Sequence, residues 1–150
     1  MKKINVICVG KIKEKFLIDG IAEYSKRLTR YAQVSVCELT DFATDNNVCK
    51  QKESDLILAK LKGYVILLDL EGKMLTSEQF AKEIDKAYIS NSEITLVIGG
   101  SRGVDERVKQ RADLAVAFGK ITYPHQLMRL ILFEQTYRAF TIIEGTPYHK

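Results

Sequence analysis

A glycine-rich pentapeptide is the first stretch of this sequence whose residue types could support ligand chemistry. It spans Gly99 to Gly103 and directly follows the apolar run Ile94 to Ile98. Glycine adopts dihedral angles that other residues avoid, and it lets a ligand approach the main chain closely. The spacing matches neither the GxGxxG turn of dinucleotide-binding proteins nor the phosphate-binding GxxxxGK[ST] loop. A small-molecule site and a tight turn that needs positive φ explain the glycines equally well.

A second candidate segment spans residues 118–125 and reads Phe-Gly-Lys-Ile-Thr-Tyr-Pro-His. It leaves an apolar run at Phe118, and Pro124 is suited to the first turn of a helix. An apolar loop with free backbone groups can hold an adenine ring by stacking and by main-chain hydrogen bonds. The alternative is a buried connection between a strand and a helix, which the residues alone favour.

Several cationic or titratable side chains follow this segment. His125 is a candidate proton acceptor, because its unperturbed pKa of about 6.5 allows both charge states near neutral pH. A histidine that caps or packs against the helix explains this position at least as well. Guanidinium groups bind phosphate in a fork, so one basic surface is a second candidate site, although an ordinary solvated helix face also explains the arginines. Its members would be Arg129, Arg138, His149 and Lys150.

Other chemistries have no support in the residue spacing. No cluster of His, Cys and Asp has metal-ligand spacing, so we expect no metal, and no GxSxG elbow accompanies the serines. The cysteines Cys8, Cys37 and Cys49 are odd in number and form no CxxC pair, which indicates buried thiols in a reducing compartment. The apolar runs are far shorter than the ~20 residues of a membrane-spanning helix, and no signal-peptide cleavage pattern follows residue 10. We therefore expect a cytoplasmic protein without a membrane partner.

The elements that must position these residues alternate between strand and helix. Apolar runs predict the strands, with Gly72 ending the third, and apolar positions three and four apart predict the helices. Thr76 and Gln79 have the spacing of a capping box. Residues 40–50 are polar and predict an exposed loop that leads into a charged helix. The predicted strands are 4–9, 34–39, 64–70, 94–98 and 114–118, and the predicted helices are about 17–28, 48–62, 76–88, a short one after 103, and 125–140.

This alternation predicts an α/β fold with a parallel sheet flanked by helices, and 150 residues predict one domain over 1–150. Ligands bind beyond the carboxyl ends of parallel strands, so we expect the site at residues 68–69, 99–103 and 119–125. The net charge is +4, and both ends of the chain are basic while the middle is acidic. Such a distribution can steer an anionic partner such as RNA.

Four segments then match the pattern of a known family. They are Ile98-Gly99-Gly100-Ser101-Arg102-Gly103, residues 121–129 (ITYPHQLMR), residues 134–140 (EQTYRAF) and the terminal Pro147-Tyr148-His149-Lys150. In these segments, and in Val9-Gly10-Lys11 and residues 68–74, the sequence resembles the RlmH family of small bacterial SPOUT-class methyltransferases. The resemblance covers essentially the whole chain.

The resemblance implies an enzyme that uses S-adenosylmethionine to methylate N3 of a pseudouridine in 23S ribosomal RNA, on the assembled ribosome. It also implies a homodimer and an α/β knot, in which the C-terminal segment threads a loop to form a trefoil knot. Knots are essentially absent from ordinary folds, so composition and periodicity alone would not suggest one.

The resemblance also assigns roles to individual residues. The cofactor pocket is expected at Leu68, Gly99, Gly100, Phe118, Gly119, Lys120, Ile121, Thr122 and Tyr123. We expect His125 or an adjacent water to accept the N3 proton, while Arg138 and Tyr148 position the phosphate and the base. His149 and Lys150 are expected RNA contacts by the same resemblance, and Arg129 joins them because of its charge.

Two other functions remain open from the residues themselves. A non-catalytic ribosome-binding assembly factor would suit the basic ends of the chain equally well. A flavodoxin-like nucleotide binder would suit the strand and helix alternation, but it is weakened by the missing phosphate-binding loop.

Overall fold

The computed structural model describes residues 1–42 and 47–150. In this part of the chain, five strands alternate with five helices, as the apolar pattern predicts. The strands are β1 (Lys3–Val9), β2 (Gln33–Leu39), β3 (Tyr64–Met74), β4 (Glu93–Ile98) and β5 (Leu114–Ala117). The helices are α1 (Lys15–Leu28), α2 (Asn47–Leu58), α3 (Ser77–Ser90), α4 (Glu106–Arg111) and α5 (His125–Glu144).

The five strands form one sheet in the order β2-β1-β4-β3-β5, and every neighbouring pair is parallel. The predicted parallel sheet is therefore confirmed. Its central strands are covered on both faces, so Val65, Ile66 and Leu67 are all fully buried, which explains why their segment lacks polar alternation. Because all strands run the same way, their carboxyl ends meet at one edge of the sheet.

Two apolar cores lie on the two faces of the sheet. The larger core packs α1, α3 and α5 against one face and includes Phe80, Phe133 and Phe140. Helix α5 contacts both α1 and α3. The smaller core lies on the other face and includes Ile57 of α2 and Val108 of α4. The capping box predicted at Thr76 and Gln79 begins α3.

A buried ion pair joins α5 to the ends of β1 and β2. The Arg129 side chain is 3% exposed; its Nη1 donates to Glu38 Oε2 at 2.5 Å and its Nη2 donates to the Gly10 carbonyl at 3.1 Å. The same Glu38 oxygen accepts a hydrogen bond from the Ile12 backbone N–H. Burial alone would raise the pKa of Glu38, but the bonds from Arg129 and Ile12 outweigh it and hold that pKa below its usual value. The expectation that Arg129 lies on a basic surface is therefore wrong, because its guanidinium is enclosed between elements.

Strand β3 differs from its prediction beyond residue 68. It continues past Gly72 to Met74, and both Leu68 and Lys73 pair with Val116 of β5, so residues 69–72 form a bulge between them. A Cβ on Gly72 would lie 2.7 Å from the Ala115 carbonyl carbon. Gly72 therefore does not end β3. It lies where two strand backbones approach closely, and such an approach is one reason for a glycine inside a strand.

Other elements also end at residues different from those predicted. Helix α5 extends to Glu144 and includes Ile142 and Ile143, which the sequence pattern places in a tail; it stops at Gly145, whose φ of +70° is left-handed. Helix α2 ends at Leu58 rather than near 62, and β5 ends one residue early at Ala117. Of the loop predicted over 40–50, residues 43–46 lie outside the described residues and 47–50 are the first turn of α2.

The Arg129 pair should contribute more to stability than any exposed pair. In a Glu38→Ala variant the buried guanidinium would lose its counter-ion. Because the Glu38 side chain is itself 36% exposed, solvent screens part of the interaction, and we expect the free energy of unfolding to fall by about 1.5–3 kcal/mol. Urea unfolding measures this change. The matched control is Glu23→Ala, which removes the exposed pair with Arg27 and should cost much less.

The pH dependence of stability tests the same pair independently. A carboxylate whose pKa is lowered by folding stabilises the protein above its unfolded pKa, and this contribution is lost as the pH falls through the folded pKa. The wild type should therefore lose stability more steeply than Glu38→Ala below about pH 4.5, the unperturbed value for this carboxyl. Parallel pH profiles for the two proteins would contradict this role of Glu38.

Candidate functional site

A cleft of about 520 Å³ opens at the carboxyl edge of the sheet. Its volume lies in the range of about 300–1,000 Å³ that is usual for small-molecule sites. Three chain segments supply most of its lining: the end and bulge of β3, the glycine loop after β4, and the segment between β5 and α5. These are the three strand ends at which the sequence predicts a site. Lys50 of α2 and Lys109 of α4 also line the cleft. Among the expected cofactor residues, those in the lining are Leu68, Gly99, Gly100, Phe118, Thr122 and Tyr123.

The glycine loop is a tight turn whose members need glycine for different reasons. Gly103 has a φ of +76°, and its N–H donates to the Gly100 carbonyl at 2.9 Å. A Cβ on Gly99 would lie 2.8 Å from Val104 Cγ1, and one on Gly100 would lie 2.7 Å from Glu53 Oε1. The strained turn is therefore at Gly103, whereas Gly99 and Gly100 lack side chains because neighbouring groups occupy that space.

The segment before α5 divides into an outward part and an inward part. Gly119, Lys120 and Ile121 lie outside the cleft lining, and Ile121 is 67% exposed. Thr122 and Tyr123 return to the cleft. At the start of the segment the Phe118 ring meets the Phe80 ring edge-on, with 5.5 Å between centroids. This contact anchors the loop to the larger core.

A buried carboxyl group lies directly behind the glycine loop, and the sequence analysis missed it. Glu53 of α2 is only 5% exposed, and its Oε2 accepts a hydrogen bond from the Phe42 N–H at 3.2 Å. Burial raises the pKa of Glu53, and the neighbouring charge of Asp41 raises it further. Nothing in the sequence of a charged helix distinguishes this glutamate from its solvated neighbours.

His125 lies in the cleft lining at the first position of α5. Its Nε2 lies 3.8 Å from the point that a Cβ on Gly10 would occupy, and Asp41 Oδ2 lies 3.7 Å from the same point. Gly10 has a φ of +93°, so a side chain there would be strained as well as crowded. The imidazole and the Asp41 carboxylate therefore share the space above Gly10.

The other predicted catalytic and RNA-contacting residues form a separate cluster. The Arg138 guanidinium lies 4.8 Å above the Tyr148 ring, and Arg138 Nη2 pairs with Glu134 at 2.7 Å. Arg138 Nη1 donates to His149 Nδ1 at 3.1 Å, and His149 Nε2 donates to Glu78 at the start of α3. The C-terminal segment is thus held against α5 and α3.

The phenol of Tyr148 remains protonated at neutral pH. Burial, together with a hydrogen bond to Tyr24, raises the pKa of Tyr148 to about 12. Tyr148 can therefore stack or donate a hydrogen bond, but it is a poor proton acceptor. Lys150 follows this cluster and is exposed.

A single chain does not bring His125 and this cluster together. Arg138 follows His125 by 13 positions in the same helix, and a helix rises about 1.5 Å per residue, so their backbones are about 20 Å apart. Tyr148 and His149 lie beside Arg138 rather than beside the cleft. The predicted catalytic residues therefore form two groups at different positions along α5.

Two features that residues 1–42 and 47–150 lack bear on the chemistry. No group of three or more His, Cys, Asp and Glu side chains converges as a metal site would require. Among these residues, none of the helices has the length and apolar character that crossing a membrane requires.

Comparisons with known proteins give a consistent result. The model of the family described as predicted SPOUT methyltransferase matches residues 1–149. A protein of Streptococcus uberis (strain ATCC BAA-854 / 0140J) named ribosomal RNA large subunit methyltransferase H is 51% identical, and the alignment covers 99% of each chain. A protein of the same name from Leuconostoc citreum (strain KM20) is 52% identical over 98% of this chain and 99% of that one.

A solved structure provides a more distant match. The probable methylase family protein from Haemophilus influenzae Rd KW20 superposes with a TM-score of 0.55 at 9% identity, over 98% of this chain and 70% of that one. At this identity the likeness shows the fold alone.

The contact between Gly100 and Glu53 generates a stability prediction. A Gly100→Ala variant places a methyl group 2.7 Å from Glu53 Oε1, so we expect it to destabilise the fold by about 1–3 kcal/mol. In a Glu53→Ala background the same substitution should cost clearly less, because the clashing carboxylate is gone. A double-mutant cycle of urea unfolding measures this coupling. Strictly additive costs would show that the two residues do not meet.

Proposed function

Because this chain belongs to the SPOUT methyltransferase family, we propose that it transfers a methyl group from S-adenosylmethionine to N3 of a pseudouridine in 23S ribosomal RNA. The observation that carries the proposal is the match of about half the residues, over the whole length, to proteins named ribosomal RNA large subunit methyltransferase H. The chain is accordingly a ribosomal RNA methyltransferase. We propose further that residues 1–150 act as one SPOUT domain with a knotted C-terminal segment, on the assembled ribosome in the cytoplasm.

The cleft residues fit an adenosine-containing methyl donor. Leu68 and Phe118 offer apolar surface to a purine ring, while Gly99 and Gly100 let it approach the main chain. Thr122 and Tyr123 complete the lining. Gly119, Lys120 and Ile121 lie outside the lining and would contribute by shaping the loop. When bound, S-adenosylmethionine supplies an electrophilic methyl group on a sulfonium.

The chain's task in the reaction is mainly alignment. The attacking N3 must lie in line with the carbon–sulfur bond, and such positioning alone is worth about 7–11 kcal/mol of the barrier. The new bond joins N3 to the methyl carbon while the carbon–sulfur bond breaks, and the N3 proton must leave. We assign this proton to His125 Nε2, directly or through a water, because His125 lines the cleft.

The C-terminal cluster is suited to holding RNA. Tyr148 would stack on a flipped-out base and the Arg138 guanidinium would clamp a phosphate, once Arg138 leaves the Tyr148 ring and Glu134 that it contacts in the structure. His149 and Lys150 add donors beside them. Arg129 is left out of the RNA contacts because Glu38 and Gly10 enclose its guanidinium.

The separation between His125 and this cluster supports a homodimer. If Arg138 and Tyr148 act on the nucleotide that His125 deprotonates, the gap of about 20 Å along α5 must be closed by a second copy. The cleft of one subunit would then receive the C-terminal cluster of the other. Pairing two basic ends would also strengthen the attraction to ribosomal RNA beyond that of one chain with a net charge of +4.

Transfer of labelled methyl groups tests the proposed reaction. The wild type should methylate ribosomes that lack the modification, with S-adenosylhomocysteine competing and mass spectrometry locating the methyl on pseudouridine N3. His125→Ala should lower kcat by about 10²–10⁴-fold, the usual contribution of a proton acceptor, with cofactor affinity unchanged. Cofactor binding without transfer to ribosomes or free RNA would refute the substrate. Failure to bind the cofactor at all would favour a non-catalytic assembly factor.

Mixed dimers test the composite site. Two inactive variants, His125→Ala and Arg138→Ala, are coexpressed with different tags, and random pairing makes half of the dimers mixed. Each mixed dimer would contain one intact site, so activity should recover to roughly a quarter of the wild-type value. Purified mixed dimers that remain inactive would show that both residues act within one chain, as would a wild type that is active as a monomer in sedimentation.

A further inference from the structure

The lining of the cleft contains both cationic and anionic side chains. Lys50 of α2 and Lys109 of α4 come from the two helices that pack on the smaller core, and Arg102 comes from the glycine loop. Asp69 and Glu71 of the β3 bulge also line the cleft. Lys50 and Lys109 are both half-buried.

The two lysines differ from their cationic neighbours in having no partner. Arg107 pairs with Asp55 at 2.7 Å and Asp105 at 2.6 Å. Within residues 1–42 and 47–150, neither Lys50 nor Lys109 makes an ion pair or a side-chain hydrogen bond. The two lysines therefore leave positive charge in the lining that no described side chain neutralises. An anion that enters the cleft would neutralise it.

A second groove shows what kind of anion fits. This groove has a volume of about 470 Å³ and shares Lys50 and Val104 with the cleft. Beyond Lys50 it is lined by Asn47 and Gln51 of α2 on one side, and by Asp105, Glu106 and Arg107 at the start of α4 on the other. The cleft alone has the size of a small-molecule site. A groove that leads out of the cleft fits a ligand that extends beyond it, such as a polymer chain.

We propose that Lys50 and Lys109 bind a backbone phosphate of the substrate RNA next to the target nucleotide, with the strand leaving the cleft along the groove past Asn47 and Gln51. The proposal rests on the proposed function. Lysine is a compact charge suited to phosphate contacts that position a nucleic acid without reading its sequence. The carboxylate of the cofactor is the competing anion, but it would not use the groove beyond Lys50.

The test removes one charge at a time and keeps a polar, unbranched side chain. Lys50→Gln and Lys109→Gln are assayed for binding to unmodified ribosomes over a range of KCl concentrations, and for S-adenosylmethionine affinity by calorimetry. Each variant should bind ribosomes about five- to tenfold more weakly at 0.1 M salt, and the slope of log K against log salt should flatten by about one. The affinity for S-adenosylmethionine should change by less than about twofold.

The matched controls are Lys82→Gln and Lys86→Gln. Both lysines are exposed on α3, which packs on the opposite face of the sheet, and neither substitution should change the slope. Unchanged ribosome binding in the Lys50 and Lys109 variants would overturn the proposal. So would a loss of cofactor affinity as large as the loss of ribosome binding, because the lysines would then hold the cofactor carboxylate.

The wild type separates this proposal from the one on which it rests. If the wild type transfers no methyl to ribosomes, the proposed function fails regardless of the lysines. If the wild type methylates them while Lys50→Gln and Lys109→Gln keep the full affinity and salt slope, only the phosphate contact fails.

Discussion

The enclosed guanidinium of Arg129 is the constraint on which the site depends. A cation that is removed from water must be paired, and Arg129 finds its partners in Glu38 and the carbonyl of Gly10. These bonds fix the second turn of α5 against the ends of β1 and β2. One turn earlier in the same helix, His125 is thereby placed above Gly10. The pairing is incomplete, because Arg129 Nε is buried without a hydrogen-bond partner among the described residues.

Close approach of backbones builds the rest of the cleft. At the β3 bulge, the missing side chain of Gly72 lets β3 lie against β5. In the loop after β4, Val104 and Glu53 occupy the space that side chains on Gly99 and Gly100 would need. The same burial that encloses Arg129 also encloses Cys8, and it raises the pKa of that thiol to about 12 although Arg129 lowers it. Cys8 therefore stays a neutral packing residue, and the ionisable chemistry of this edge is left to the imidazole and the carboxylates.

The sequence predicted the parallel sheet because each strand is an apolar run covered on both faces, and the site followed from the rule that ligands bind at the carboxyl ends of such strands. It could not predict that β3 continues past Gly72, since a glycine looks the same at the end of a strand and at a bulge. Nor could it separate Arg129 from Arg138, because the partners that bury Arg129 are distant in the chain. Once one continuous helix was predicted from His125 onward, the distance between His125 and Arg138 could have been calculated from the helical rise. The family motifs still suggested one site, because they group residues by role rather than by position.

The position of α5 between α1 and α3 has a consequence for how the chain folds during synthesis. Phe133 and Phe140 of α5 belong to the larger core, yet α5 comes after every other element. The inner strand β1 waits for β4, about 90 residues later, to pair on its second side. The larger core therefore stays open until α5 has been synthesised, and its apolar faces are exposed to other chains for that time.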